Sequence, residues 1–254
     1  MILIAGALVA LDVARSERDA RPAARTGATA EAGPSGQADV SGASAVPPSS
    51  SPPATPHGVP ASAVLREGNG TFAFATGQGP VLGTSGGLQR YRVAVENGID
   101  IEPGVFAAAV DAILGDPRSW IGEGTLRLQR VPLTVAAQFT VYLATPVTSE
   151  KMCREDWMET QQYTSCRLSS GKVVINLARW LTAVPDYGAP LDVYRAYAIN
   201  HEVGHQLRQW HELCPGPGLP APVMQQQTLG LEGCVANPWP YLDGKRYRGP
   251  SATQ

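Results

Sequence analysis

Three of the four histidines in the chain lie within eleven residues of one another, at His201, His205 and His211. On an α-helix, residues four apart lie on the same face, so the imidazoles of His201 and His205 can bind one metal ion. His211 can join them only if the helix ends near Leu207 and the chain turns back. Glu202, next to His201, would reach a water molecule on that ion. Three imidazoles with an open fourth position are the ligand set of a catalytic zinc (Zn²⁺) site, because structural zinc sites are closed.

This spacing favours metal binding over the alternative, an amphipathic helix that carries histidines on its polar face. A chance match to the extended pattern is expected in on the order of one chain in 10⁴ at this composition. Zinc polarises a scissile carbonyl and lowers the pKa of a bound water toward ~7. Glu202 would take the proton of that water and pass it to the leaving amine. The pattern therefore predicts a zinc-dependent peptide-bond hydrolase that needs no serine or cysteine nucleophile.

Two other functions fit the same residues. One is a zinc-bearing binding module at the cell surface with little turnover. The other is a zinc amidase or deacetylase that acts on cell-wall peptides. The net charge of −2 and the lack of a basic patch in the sequence argue against a nucleic-acid partner. We expect a peptide or protein substrate, a membrane tether or proximity to a cell wall, and a monomeric chain.

The histidine segment resembles the metzincin clan of zinc metallopeptidases. The clan signature is HExxHxxGxxH, followed downstream by a methionine turn beneath the metal. The resemblance implies that His201, His205 and His211 are the ligands and that Glu202 is the general base of a metalloendopeptidase. It also implies that Met224 belongs to the methionine turn.

A longer part of the chain, from about residue 68 to residue 247, resembles an uncharacterised zincin-like family. Its members are secreted or anchored domains from high-GC Gram-positive bacteria. The segments that carry this likeness are Leu88-Gln89-Arg90-Tyr91-Arg92-Val93, Asp116-Pro117-Arg118-Ser119-Trp120, Val174-Ile175-Asn176-Leu177-Ala178 and Asn237-Pro238-Trp239-Pro240. That family has no assigned substrate, so the likeness supports the metal site and leaves the substrate open.

The chain departs from the clan pattern at two positions. Arg208 stands where the signature has glycine, which normally allows the turn a left-handed conformation. A residue with a Cβ is less stable there by roughly 1 kcal/mol, so the turn is predicted to be either strained or different. Gln226 stands where some metzincins carry a tyrosine ligand. A tyrosine ligand is therefore unsupported here unless Tyr241 or Tyr247 lies near the metal.

The four cysteines form two pairs that are close in sequence. In an exported protein the simplest interpretation is two disulfides, Cys153–Cys166 and Cys214–Cys234. A second zinc site is the alternative, although the sequence has no CxxC motif. A Cys214–Cys234 bond would tie the loop that carries His211 to the segment after the methionine turn. It would then either fix the third ligand by loop closure or act as a plain crosslink.

The chain of 254 residues is long enough for one domain and a tail. Residues 1–12 are predicted to be the remnant of a signal or anchor segment, or else a short apolar terminus. Residues 13–66, rich in Ala, Pro, Ser and Gly, are predicted to be a disordered stalk. Residues 67–248 are predicted to be the zincin-like catalytic domain. We expect the protein to be extracellular or anchored at the cell surface.

The fold class is predicted as α+β and, from the resemblance, metzincin- or zincin-like. The prediction comprises a twisted mixed sheet of about five strands, two main helices and an irregular C-terminal subdomain. The predicted strands are residues 71–75, 89–96, 125–131 and 138–144, with a hairpin of residues 164–168 and 172–177. The first helix should run from Pro103 to about Leu114 and bury Val105 on its apolar face. The active-site helix should span residues 191–207, with Tyr194 and Tyr197 facing the cleft.

In metzincins an antiparallel edge strand binds the substrate as an added strand. The resemblance places this strand at about residues 163–168, so Cys166, Arg167 and Leu168 are the predicted substrate-binding residues. Strand addition supplies main-chain hydrogen bonds without demanding a particular sequence.

Overall fold

The computed structural model describes residues 64–252. The predicted signal remnant and most of the predicted stalk lie outside the described residues. The strands are β1 (Phe72–Phe74), β2 (Val81–Leu82), β3 (Gly87–Glu96), β4 (Leu126–Arg130), β5 (Phe139–Ala144), β6 (Cys166–Arg167), β7 (Lys172–Asn176), β8 (Tyr241–Leu242) and β9 (Lys245–Arg246). The helices are α1 (Pro103–Gly115), α2 (Pro146–Cys153), α3 (Leu177–Thr182) and α4 (Leu191–Gln206).

A mixed sheet of seven strands is the centre of the fold, in the order β2-β4-β3-β5-β7-β6 with β1 beside β3. Strands β4, β3, β5 and β7 are parallel, and β6 closes one edge antiparallel to β7. A mixed sheet with few helices confirms the α+β class. The sheet has more strands than the predicted five, partly because β2 contains only two residues and gives no alternating pattern.

Both faces of the sheet are covered. Successive side chains of a strand point to opposite faces, and β7 shows this clearly. Val173 and Ile175 belong to the main core with α1 and α4, whereas Val174 packs with Cys153 and Leu168 on the α2 side. Helix α4, with the two metal-binding histidines predicted on it, therefore rests against the larger of these two cores.

Helix α1 begins with Pro103 at its first position and buries Phe106, Val110 and Leu114. These residues are four apart and form a narrow stripe along one side of the helix. The prediction that Val105 faces the core is wrong, since 67% of its surface is exposed. Val105 lies one residue, or about 100°, away from that stripe.

Helix α4 ends within one residue of its predicted end. Pro190 precedes it, and Asp192 in its first turn interacts favourably with the positive end of the helix dipole. The prediction that Tyr194 and Tyr197 face the cleft is wrong. Both rings are buried against Tyr187, which is contributed by the loop before the helix.

The segment after α4 has little regular structure, as predicted. Two isolated β-bridges hold it, one between Glu212 and Ser251 and one between Pro220 and Val235. The predicted disulfides Cys153–Cys166 and Cys214–Cys234 are both present. Two disulfides fit an oxidising, extracellular environment. No helix within residues 64–252 has the length and apolarity required to cross a bilayer.

Candidate metal centre

The end of helix α4 determines where His211 lies. The N–H of Arg208 donates to the carbonyl of His205 at 3.0 Å, and the N–H of Gln209 donates to the carbonyl of Gly204 at 2.9 Å. These two bonds are the Schellman pattern that ends many helices. Arg208 has a φ of +63°, so arginine adopts the left-handed conformation that the clan signature assigns to glycine. The chain turns back at this residue and returns toward the helix.

After this turn the three histidine rings meet. The Nε2 atom of His205 lies 3.2 Å from Nε2 of His201 and 3.1 Å from Nε2 of His211. One ligand atom from each ring lies within 4.8 Å of the others. The structure thus places all three predicted ligands around a single point.

Backbone carbonyls fix the orientation of two of these rings. Nδ1 of His201 donates to the carbonyl of Val223, and Nδ1 of His205 donates to the carbonyl of Gln209, both at 2.9 Å. A carbonyl oxygen can only accept, so in the neutral rings the hydrogen is on Nδ1 and the lone pair is on Nε2. Such outer bonds hold a metal-binding histidine in the correct tautomer.

The chemistry of this donor set fits a metal ion. Two Nε2 lone pairs at 3.2 Å cannot hydrogen-bond to each other, whereas a cation between them would satisfy both. Burial lowers the pKa of His201 well below its ordinary value, lowers that of His205 to about 4, and also lowers that of His211. The rings are therefore neutral near pH 7, as ligands must be.

Glu202 is buried and lines the same cleft as His205 and His211, a cleft of about 890 Å³. Burial raises the pKa of Glu202 to about 8. A cation held by the histidines would oppose this shift, because a nearby positive charge favours the ionised carboxylate. When burial and a cation shift its pKa in opposite directions, the carboxyl group can gain or lose a proton near neutral pH.

Met224 packs against helix α4 and has no exposed surface. It approaches the helix where Gly204 leaves space: a Cβ on Gly204 would lie 2.4 Å from Sδ of Met224 and 2.7 Å from the Trp120 ring. Gly204 is not among the predicted site residues, although a glycine inside a predicted helix is a recognisable signal of close packing. The glycine therefore allows close contact between the helix and Met224.

The segment that carries His211 is held on both sides. The N–H of Glu212 donates to the carbonyl of Met224 at 3.1 Å, and the N–H of Ala252 donates to the carbonyl of His211 at 3.0 Å. The buried carboxylate of Glu212 also pairs with the guanidinium groups of Arg246 and Arg248. No local sequence pattern predicts these contacts, because their partners are distant in the chain.

Asn200, one residue before the first ligand, joins α4 to two of the segments quoted for the family likeness. Its side chain accepts a hydrogen bond from Ser119 at 2.7 Å and donates to the carbonyl of Pro238 at 3.0 Å. Its carbonyl accepts from the indole of Trp120 at 2.8 Å. These segments therefore support helix α4 from outside the cleft.

The residues predicted to bind substrate lie in two different places. Cys166 and Arg167 line the cleft, and Arg167 donates to the side chain of Gln206 at 3.0 Å. Leu168 is fully buried in the core on the α2 side of the sheet, where the side chain of Cys166 also packs, because both side chains point away from that of Arg167. Strand β6 itself is the edge of the sheet.

The two tyrosines considered as additional ligands lie elsewhere. The hydroxyl of Tyr241 donates to Glu123 at 3.3 Å, and that of Tyr247 donates to the carbonyl of Pro220 at 2.9 Å. Gln226 does line the cleft. Among the described residues, the group of three metal-binding side chains that converges is therefore the histidine triad.

Residues 56–242 match the family model described as "Protein of unknown function (DUF3152)". The chain belongs to this family. The matched region contains the three histidines, Glu202 and Met224, together with both disulfides. No curated protein and no solved structure matches the chain. The side chains of this DUF3152 protein and their geometry are therefore what indicates its function.

Proposed function

We propose that this DUF3152 protein is a zinc-dependent metalloendopeptidase of metzincin-like type that acts outside the cell, either secreted or tethered to the membrane. One observation carries the proposal: three histidine Nε2 atoms converge in a cleft that also holds a buried carboxylate, Glu202. Three neutral imidazoles with an accessible fourth side suit zinc. The two cleft residues on the sheet edge, Cys166 and Arg167, give a peptide a place to bind.

His201, His205 and His211 would hold the zinc. When bound, zinc supplies Lewis-acid polarisation of the scissile carbonyl and lowers the pKa of water. The Glu202 carboxylate accepts a proton from the attacking water and delivers it to the leaving amine nitrogen. The carbonyls of Val223 and Gln209 keep two of the histidines in the tautomer that presents Nε2.

The substrate would extend along the free edge of β6. The opposite edge of this strand pairs with β7, with Cys166 opposite Val174 and Arg167 opposite Val173. A peptide added to the free edge would form main-chain hydrogen bonds and would not need a particular sequence. The side chain of Arg167, fixed by Gln206, would contact the bound peptide from the strand.

The decisive experiment is metal analysis of the purified full chain together with cleavage of a peptide library, with and without a chelator. We expect one zinc per chain and cleavage that stops when the zinc is removed. Replacing His211 by Ala should remove the zinc, whereas Glu202→Ala should retain it and abolish turnover. General acid–base catalysis contributes about 10²–10⁴-fold, so the loss should be at least of that order.

Other outcomes of the same experiment identify the alternatives. Stoichiometric zinc without cleavage of any peptide would favour a binding module. Cleavage of cell-wall peptide fragments but not of linear peptides would favour an amidase. Purified protein without stoichiometric metal would overturn the proposal.

A further inference from the structure

Arg179, on helix α3, has a partly buried guanidinium that makes no hydrogen bond or ion pair within residues 64–252. Its Nε and Nη1 atoms are buried without a hydrogen-bond acceptor. None of the ion pairs among the described residues includes it. Leaving buried donors unsatisfied is unfavourable, and a buried charge without a counter-charge is more so. An arginine in this state suggests that an anion completes its surroundings.

A nearby arginine, Arg195, has both an aromatic contact and a hydrogen-bond acceptor and serves as a comparison. Arg195 lies over the ring of Trp180, as Arg179 lies over the ring of Tyr163. Arg195 also donates from Nε to the carbonyl of Trp180 at 2.7 Å. Arg179 has the aromatic contact, at 4.4 Å, but lacks the acceptor.

Arg179 contacts a residue, Tyr163, that adjoins the cleft of the metal centre. The Tyr163 ring beneath its guanidinium directly precedes residues 164–167, which form one wall of the cleft. On the other side, the hydroxyl of Tyr194 lies 2.8 Å from that of Thr228, two residues after the cleft residue Gln226. Burial raises the pKa of Tyr194, the charge of Arg179 opposes that shift, and Glu202 adds to it. The Tyr194 hydroxyl is thus within electrostatic range of both groups.

The loop that presents Tyr163 is held rigidly. The buried carboxylate of Glu150 accepts hydrogen bonds from the N–H groups of Thr160 and Gln162 at 2.9 Å and 3.1 Å. Asn176 donates to the carbonyl of Gln162 at 3.0 Å. A preformed position lowers the entropy lost when a ligand binds. Arg179 itself is only partly buried, and Tyr163 is exposed, so a ligand can reach the guanidinium.

We propose that the Arg179 guanidinium binds a carboxylate group of the substrate, next to the catalytic cleft. This inference rests on the proposed peptidase function and adds the class of substrate to it. The carboxylate is either an acidic side chain close to the scissile bond or the free C-terminus of the peptide. A guanidinium binds either one with two parallel N–H···O bonds, which a lysine cannot reproduce.

Peptide cleavage tests this specificity. One library has blocked ends, so that its only carboxylates are Asp and Glu side chains, and a second has free C-termini and no acidic residues. We expect one library to show a preference of about 10- to 100-fold in kcat/KM over neutral amide peptides, as loss of bonds to a charged group implies. Arg179→Gln should abolish that preference, and Arg179→Lys should retain part of it.

Arg127→Gln is the matched control, because Arg127 lies on β4, toward the opposite end of the sheet from β6. It removes the same charge and should leave the preference intact. A wild-type enzyme that cleaves neutral and carboxylate-bearing peptides equally well would overturn the assignment. Thermal unfolding of each variant shows whether any change arises from loss of folding.

A binding measurement separates this proposal from the peptidase proposal. The Nε–H NMR signal of Arg179 in the full chain is identified by its absence from Arg179→Lys. It is then followed during titration with N-acetylglutamate N-methylamide, with N-acetylleucine and with the neutral N-acetylglutamine N-methylamide. We expect saturable shifts with one or both carboxylates and none with the amide.

The two carboxylate probes distinguish the side-chain source from the terminal source. A shift in a protein that cleaves no peptide would refute the peptidase and keep the anion site. Cleavage without a carboxylate-specific shift would support the peptidase and refute the anion site. A response to inorganic phosphate alone would also refute carboxylate binding.

Discussion

Helix α4 and the irregular segment after it position the three histidines of the candidate metal centre by different means. His201 and His205 are on α4, and helix periodicity alone sets their separation. His211 is on the irregular segment and is held by bonds that involve Met224 and Ala252. The first two ligands therefore depend on local sequence, whereas the third depends on contacts that are distant in the chain. Each of these two regions can be weakened separately by substitution, and zinc affinity measures the effect in both cases.

The largest effect is expected in the helical half, from Gly204→Ala. A Cβ at this position would collide with Met224 and Trp120, both buried, so the helix or the methionine must move. Overpacking of this kind lowers the free energy of unfolding by roughly 1–3 kcal/mol. Zinc affinity should fall by about 100-fold, the upper end of what outer-shell changes produce. Competition with a chelator of known affinity measures it.

Gly104→Ala is the control for helix propensity. Gly104 lies in α1, and a Cβ there meets no atom within 4 Å. That substitution should increase the free energy of unfolding by about 0.5–1 kcal/mol and leave zinc affinity unchanged. Equal zinc affinities in the Gly204 variant and the wild type would show that the contact with Met224 does not support the metal site.

In the irregular half, we expect the largest effect from loss of the Cys214–Cys234 disulfide. This bond closes a loop that begins three residues after His211 and contains Met224. Replacing both cysteines by serine should weaken zinc binding by about 10- to 100-fold, because the third ligand loses its support. The helical circular dichroism signal should change little.

The disulfide Cys153–Cys166 provides the matched variant, since it joins α2 to the sheet edge and does not enclose a histidine. Its serine pair should lose stability of about 2–4 kcal/mol but keep the zinc affinity. If both serine pairs bind zinc as tightly as the wild type, the Cys214–Cys234 bond is a plain crosslink.

The same contrast explains what the sequence could predict. The spacing of His201 and His205 predicts a shared face, and the structure places them there. The alternating strands and the two long helices were also predictable, because burial on one face leaves a periodic pattern. Helix α2 was missed, since its sequence PVTSEKMC has no apolar stripe. The helix pattern predicts Tyr194 and Tyr197 on the cleft face, yet Tyr187, from a loop without a pattern, covers them.

The supports of the third ligand were beyond prediction for a physical reason. Glu212 accepts from Arg246 and Arg248, more than thirty residues away, and no local pattern specifies such a pairing. The carbonyl acceptors of Val223 and Gln209 are backbone groups that every residue possesses. Only the folded chain shows which carbonyl a histidine contacts.

A smaller effect is expected from shortening the chain after Arg248. This removes the Ala252 N–H that donates to His211 and the Pro250 carbonyl that accepts from Leu213. One side of the His211 segment is then free, while the bond to Met224 persists, so zinc affinity should fall by about 10-fold. A chain that ends after Ala252 retains both bonds and is the control. Equal zinc affinities in the two chains would show that the terminal segment does not hold the ligand.

The smallest change in zinc affinity, and the only increase, is expected from Arg208→Gly. Arg208 adopts a φ of +63°, where a side chain is unfavourable by about 1 kcal/mol. Glycine should relieve this strain in the turn between the helical ligands and His211, so zinc should bind up to about 5-fold more tightly. Asp243→Gly, at a φ of +49° in the turn between β8 and β9, should gain similar stability without changing zinc affinity. Weaker zinc binding by the Arg208 variant would show that the arginine side chain, which lines the cleft, stabilises the site more than its backbone strains it.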